Sequence, residues 1–314
     1  EAVVRAGQQA LEQGHTRYTP AVGLPELREA IAGFYRDRFG TALEPGRVIV
    51  TPGSSGALQL LLSVLVDPGD RVLLADPGYP CNRHFVHLVG GDPVSIPVGA
   101  ETGYQLTAEM VAEAWTERTR VVLVASPSNP TGTLLSRDEL AAIYQVVEQR
   151  GGALIVDEIY QGLVYDEQAR ETALGISDGI FVINSFSKYF GMTGWRLGWV
   201  VAPEAYVGEL EKLAQNLFLA APTVSQHAAL AAFTPASRQI LEQRRVAFQE
   251  RRDFLLPALR DLGFDIPLTP EGAFYLYARC SRFTDDSDVF AMQLLREALV
   301  AVAPGKDFGQ YRQH

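Results

Sequence analysis

From residue 47 onward, short apolar runs rich in β-branched residues alternate with longer stretches of helical spacing. Residues 47–51 (RVIVT), 71–75, 120–125 (RVVLVA), 153–157, 180–185 and 197–202 read as strands, with a weaker one at 93–98. Their apolar residues are nearly continuous, the pattern of strands buried on both faces. Between them, 54–66 and 107–115 carry helical spacing. Ser136-Arg137-Asp138-Glu139 forms a capping box that opens a helix to residue 149. Strands alternating with helices predict an α/β fold, a mostly parallel sheet with helices on both faces.

Past residue 225 the character changes. An Arg- and Gln-rich helical stretch covers 236–262 and is expected to be interrupted or bent at Pro257. A strand at 274–278 and a helix at 288–298 should follow. This divides the chain into a large domain over 1–235 and a smaller α+β domain over 236–314, the N-terminal helix being assignable to either. Arg244, Arg245, Arg251 and Arg252, interleaved with Glu242 and Glu250, read as the solvated face of the long helix. Residues 1–13 read as the middle or end of an amphipathic helix, and 310–314 carry no stop signal. The sequence is therefore expected to be a segment of a longer polypeptide.

Composition narrows the function classes. At 314 residues, with 47% hydrophobic and 20% charged residues, the chain can bury a sizeable core. A net charge of −10 argues against a nucleic-acid-coating surface. Two cysteines far apart, Cys81 and Cys280, exclude a disulfide scaffold and a zinc module, and a reducing, cytoplasmic compartment is expected. The longest apolar stretch, 58–66, falls far short of the roughly 20 residues that cross a bilayer. His15, His84, His87, His227 and His314 have no metal-ligand spacing and read as structural or surface residues.

The chemistry concentrates where strands end. Ser185-Phe186-Ser187-Lys188 precedes Gly191-Met192-Thr193-Gly194-Trp195-Arg196, at the carboxyl end of a predicted strand, where parallel sheets bind ligands. Ser and Arg can hold a phosphate together, and a desolvated Lys beside a cation is freed for Schiff-base chemistry. A solvated Lys and a surface Arg at a turn is the plain alternative. Asp157 at the end of a buried strand needs a cation or donors; a structural Asp capping a loop would also satisfy it. Glu158, next along the strand, points the other way and reads as structural. Thr51-Pro52-Gly53-Ser54-Ser55-Gly56-Ala57 joins a strand to a helix and exposes backbone N–H groups that can cradle an anion. It has neither a P-loop ending nor a dinucleotide fingerprint.

Taken with Ser128-Asn129-Pro130-Thr131-Gly132, the 153–160 block ending in Asp157-Glu158-Ile159-Tyr160, and Asp76-Pro77-Gly78-Tyr79-Pro80, the Lys188 segment resembles the class I/II aminotransferases. These are fold-type I enzymes using pyridoxal 5′-phosphate, and the blocks occur in the family's order from Tyr18 to Gly309. The resemblance implies that Lys188 links covalently to the cofactor and shuttles a proton, and that Asp157 holds the ring nitrogen protonated. It implies that Tyr160 and Asn129 bond the cofactor's 3′-oxygen and that Tyr79 stacks on the ring. Ser54, Ser55, Ser185, Ser187 and Arg196 would hold the phosphate, joined by Tyr18 from the neighbouring subunit of a homodimer.

The expected activity moves an amino group between an L-amino acid and a 2-oxo acid. Two departures bear on the substrate side. The family's substrate-carboxylate Arg lies beyond the 304–309 stretch, and Arg312 sits too close to Gly309 to match it. Ser55 stands where some aspartate-using relatives carry Lys, a mark against a dicarboxylic substrate. The same cofactor residues would serve a β-eliminating C–S lyase, and the same fold an effector-sensing domain of a regulator.

Overall fold

The computed structural model describes residues 1–309. Seven strands build one sheet: β1 (Val48–Thr51), β2 (Arg71–Asp76), β3 (Asp92–Pro97), β4 (Thr119–Ala125), β5 (Ala153–Asp157), β6 (Phe181–Ser185) and β7 (Gly198–Val201). Their order is β1-β7-β6-β5-β4-β2-β3, with β7 antiparallel to both neighbours and every other pair parallel. All seven lie within one residue of the expected bounds. The helices are α1 (Ala2–Glu12), α2 (Pro25–Phe39), α3 (Gly53–Leu65), α4 (Cys81–Leu88), α5 (Ala108–Ala114), α6 (Arg137–Gln149), α7 (Glu204–Leu217), α8 (Thr223–Leu230), α9 (Pro235–Leu262) and α10 (Ser287–Gln293). Among the described residues, no helix is long and apolar enough to cross a membrane.

Successive strand residues sort to opposite faces, as a period of two requires. Leu154, Val156, Val182, Trp199 and Val201 enter one core with Leu27, Ile31 and Tyr35 of α2 and Leu140, Ile143 and Val147 of α6. Ile155, Phe181, Ile183 and Val200 enter the other with Leu58, Leu61 and Leu62 of α3 and Leu210 of α7. Each fully buried aliphatic side chain contributes about 1.5–3 kcal/mol of transfer free energy, so a sheet covered on both sides is fixed in register from both sides. The capping box is only half closed. Ser136 Oγ accepts from the Glu139 N–H at 3.2 Å, but Glu139 Oε1 accepts from the Ala108 N–H at 2.7 Å and so caps the neighbouring α5.

Three expectations for the C-terminal part need correction. Residues 274–278 are not a strand; the only β pairing described there is an isolated antiparallel bridge between Asp265 and Arg279. The aromatic run reads as β, yet its rings are spent on the wall of a cavity and on Phe248 of α9. Helix α9 continues through Pro257 without interruption. The last expected helix is present within a residue of its expected bounds, α10 running on into a π-wound stretch, Leu294–Ala298. The arginines of α9 are not all solvated either. Arg245 is 6% exposed and donates to Glu242 and to the Tyr165 carbonyl, and Arg252 lies over the Tyr165 ring. Their long stems bring the charges back onto the body of the protein, where carboxylate and carbonyl partners exist.

Candidate active site

The sheet register brings the chemistry together. Ala125 of β4 pairs with Asp157 of β5, Asp157 with Ile183 of β6, and Ser185 and Thr51 both pair with Gly198 of β7. The carboxyl ends of β1, β4, β5 and β6 therefore share one edge, together with the amino end of β7. Beyond that edge lies a cavity of about 160 Å³ lined by Ser54, Ser55, Tyr79, Asn129, Asp157, Tyr160, Ser187, Lys188, Arg196 and Tyr275, with Leu58, Ala125, Ile159 and Thr193.

One end of the cavity is built for an anion. Helix α3 starts at Gly53 with no side chain capping its N-terminus, leaving first-turn N–H groups open. Arg196 takes a left-handed backbone conformation, φ 51°, which costs a non-glycine residue about 1 kcal/mol or more. That turn aims its guanidinium at the Thr193 carbonyl (3.1 Å) and Ser187 Oγ (3.5 Å), directly over Gly53. A Cβ on Gly53 would sit 2.6 Å from Arg196 Nη2. The helix terminus and the arginine can meet only because Gly53 has no side chain.

At the other end, Lys188 Nζ stands 5.4 Å from the Tyr160 ring centroid and 5.7 Å from that of Phe274. Burial lowers the Lys188 pKa; the Asp157 charge opposes that and the Arg196 charge adds to it. Asp157 is buried, its Oδ1 accepting from the Ile159 N–H at 3.0 Å. Burial pushes its pKa up to about 6, against that hydrogen bond and the attraction of Lys188. A buried carboxylate of this kind is completed by a cation or a charged N–H donor. The Asn129 side-chain oxygen is also buried and finds no hydrogen-bond partner among the described residues. Tyr160 and Tyr275 join through their hydroxyls, rings edge-on at 5.5 Å, and burial raises both pKa values. The arrangement can hold an anionic group at one end, a planar ring against Tyr79 and a protonated ring nitrogen at Asp157, with an amine in reach.

The family model "Aminotransferase class I and II" matches residues 1–313. The chain belongs to the class I and II aminotransferases. It is 43% identical over 313 residues to the valine–pyruvate aminotransferase of Mycobacterium tuberculosis, covering 99% of this chain and 80% of that one. It is 36% identical to the (5-formylfuran-3-yl)methyl phosphate transaminase of Methanocaldococcus jannaschii, over 98% and 79% of the two chains. A crystal structure of an aminotransferase from M. tuberculosis superposes with a TM-score of 0.95 at 42% identity, over 99% of this chain and 81% of that one. The chain thus spans about four-fifths of the length of these relatives. It is an aminotransferase.

Within this aminotransferase fold, nine of the residues singled out from sequence line the cavity, and two do not. The Ser185 hydroxyl donates to the Leu197 carbonyl at 3.2 Å and accepts from the Ser187 N–H at 3.0 Å, so it closes the turn and does not face the cavity. Tyr18 is 81% exposed, outside its own chain's cavity. Glu158 indeed points away, accepting from Thr172 Oγ1 and the Ala173 N–H. Sequence reading missed Tyr275 and Thr193. The Gly272-Ala273-Phe274-Tyr275 run was the available signal for the first, hidden by its β-like composition. Residues 304–309 do reach the site's rim: the Gly78 N–H donates to the Phe308 carbonyl at 2.9 Å. Arg312 lies outside the described residues.

Proposed function

We propose that the cavity takes pyridoxal 5′-phosphate and that the chain transaminates amino acids with uncharged side chains, working in the cytoplasm as a homodimer. The observation that carries the cofactor is the buried Asp157 facing the same cavity as a desolvated Lys188, with an uncapped helix terminus and Arg196 at the far end. Three features fit the group. Asp157 needs a charged donor, which a protonated pyridine nitrogen is. The unpartnered Asn129 carboxamide can turn its N–H toward a ring oxygen. The uncapped start of α3 at Gly53 and the Arg196 guanidinium beside it supply N–H donors and positive charge for a phosphate.

When bound, the cofactor supplies an electron sink for the carbanion at the substrate's Cα. Asp157 keeps that sink charged, and Ser54, Ser55, Ser187 and Arg196 anchor the phosphate. Tyr79 covers one ring face. Lys188 would hold the cofactor and, as the amine in reach of the site, would carry the proton at the substrate's Cα.

The substrate class follows from the lining. Among the described residues, Lys188 and Arg196 are its only Lys or Arg side chains, both already committed, and Leu58, Ile159, Tyr79 and Tyr275 supply apolar surface. With Ser55 uncharged, nothing here pairs with a second carboxylate. The relative that acts on valine and pyruvate by its name supports a neutral substrate.

The chain has three lysines, Lys188, Lys212 and Lys306, so the covalent site is quickly assigned. Borohydride reduction of the cofactor-loaded protein is expected to fix the cofactor on Lys188. Lys188→Ala is expected to lose turnover by several orders of magnitude. A label on Lys212 or Lys306 overturns the assignment. In single turnovers with alanine, valine, aspartate and glutamate, the neutral pair should react faster; faster reaction of the acidic pair overturns the substrate class.

A further inference from the structure

The proton inventory of two phenols carries an inference about Tyr275, resting on the cofactor reading above. The Tyr160 and Tyr275 hydroxyls are hydrogen-bonded to each other on the cavity wall. Each phenol has one proton to give and lone pairs to accept with. Once Tyr160 donates to a ligand oxygen, its own proton is used, and only Tyr275's proton can hold the bond between them. We propose that Tyr275 is a positioning residue that donates to Tyr160 Oη, so that Tyr160 points its own proton at the cofactor's ring oxygen.

The backbone around Tyr275 is fixed for this task. Both the Glu271 and Gly272 N–H groups donate to the Gly132 carbonyl at 2.9 Å, tying the segment to the loop that carries Asn129. The Tyr165 N–H donates to the Glu271 carbonyl at 3.0 Å, and Tyr165 Oη donates to the Ala273 carbonyl. Phe274 stacks on Phe248 of α9 at 5.4 Å. Ala273, two residues before Tyr275, is itself held at φ 59°, a left-handed conformation that fixes the turn leading to the cavity wall.

A phenol that receives a hydrogen bond becomes a stronger donor. A stronger donor at the ring oxygen favours the form of the lysine-linked cofactor that has lost its proton, and so lowers its pKa. The charged and titratable groups facing the pair are Asp157 from β5, Lys188 and Arg196 from the two ends of the β6–β7 connection, and Tyr79 from the loop after β2. Asp157 and burial both keep the two phenols protonated near neutrality.

The test is a spectrophotometric pH titration of the protein loaded with pyridoxal 5′-phosphate. Borohydride trapping on Lys188 first establishes the covalent link in each variant. Tyr275→Phe is expected to raise the pKa of the linkage by about half to one pH unit, the scale of one hydrogen bond. Tyr160→Phe should raise it further, and adding Tyr275→Phe to it should change nothing more. Tyr277→Phe is the control: its buried hydroxyl has no hydrogen-bond partner and lies outside the cavity lining. An unchanged pKa in Tyr275→Phe, or an equal rise in the Tyr160→Phe background, overturns the inference and leaves the cofactor reading intact. Absence of any trappable cofactor in the unsubstituted protein overturns both.

Discussion

Asp157 and Glu158 are neighbours in sequence with opposite duties. Asp157 faces the cavity, and in the proposed function its value to the reaction is its charge. Asp157→Asn keeps the shape and removes that charge, so Cα–H cleavage is expected to slow roughly 10²–10³-fold, the scale of one lost electrostatic contact in a transition state. Cofactor affinity should fall much less, because the phosphate contacts are untouched. Equal losses in rate and affinity would make Asp157 a structural residue. Glu158 is pushed up to about 8 by burial, the Ala173 N–H and Thr172 hydroxyl opposing and Asp157 adding. A folded pKa above the unfolded one gives stability that is complete below about 4.5 and lost as pH rises to about 8. Glu158→Gln removes this dependence. Denaturant melts of the cofactor-free protein should show the variant gaining on the unsubstituted protein by up to roughly 3–5 kcal/mol across that window. A constant difference at every pH would show that Glu158 is ionised in the fold. That Glu158 turns away from Asp157 was legible from strand alternation; the size of the Glu158 shift was not, because Thr172 and Ala173 arrive from another segment.

At the scale of elements, the site is an edge where four strand ends meet one helix terminus. Strand positions were readable because both faces of the inner strands are buried, leaving continuous apolar runs such as Val121-Val122-Leu123-Val124, whereas the part-exposed edge strand β3 gave the weaker signal. The 274–278 run was misread because composition reports what rings prefer, while their partners here are Phe248 and Tyr160. The Glu139 cap was half readable for a related reason: the sequence named the acceptor but not that the Ala108 N–H would compete for it. Tightness at the edge is equally invisible in one dimension. A Cβ on Gly198 would lie 2.7 Å from the Gly53 carbonyl carbon and 2.8 Å from the Asn184 oxygen and the Ser54 nitrogen, all backbone atoms that cannot swing aside. Gly198→Ala is therefore expected to push β7 away from the start of α3, costing about 1–3 kcal/mol and weakening cofactor binding at least roughly tenfold. Gly194→Ala, with open space around its Cβ, is the matched control. Thermal melts and cofactor titrations of both variants decide the point; equal affinities would mean that the contact does not shape the cradle.

For the whole molecule the deciding residue is Tyr18, which leaves its own cavity and stands 81% exposed. Its stalk is nevertheless fixed. Thr223 Oγ1 donates to the Arg17 carbonyl at 2.8 Å, Gln226 Nε2 to Thr19 Oγ1 at 3.0 Å, and the Leu24 N–H to Gln226 Oε1 at 2.8 Å. Ordering a backbone costs about 1–2 kcal/mol per residue, and a lone chain gains nothing at its own site from holding this ring in water. A two-fold dimer in which each Tyr18 completes the partner's phosphate site gives the arrangement a purpose. Sedimentation of the unsubstituted protein is expected to give a dimer. Tyr18→Ala should lose part of its activity and Lys188→Ala all of it. After subunit exchange between the two, one site of each mixed dimer carries both lesions and the other carries neither. Activity should then rise above the average of the two parent proteins at equal total site concentration. If exchange is proven by differently tagged subunits and activity stays at the simple average, Tyr18 serves no partner site, and its fixed stalk has another cause.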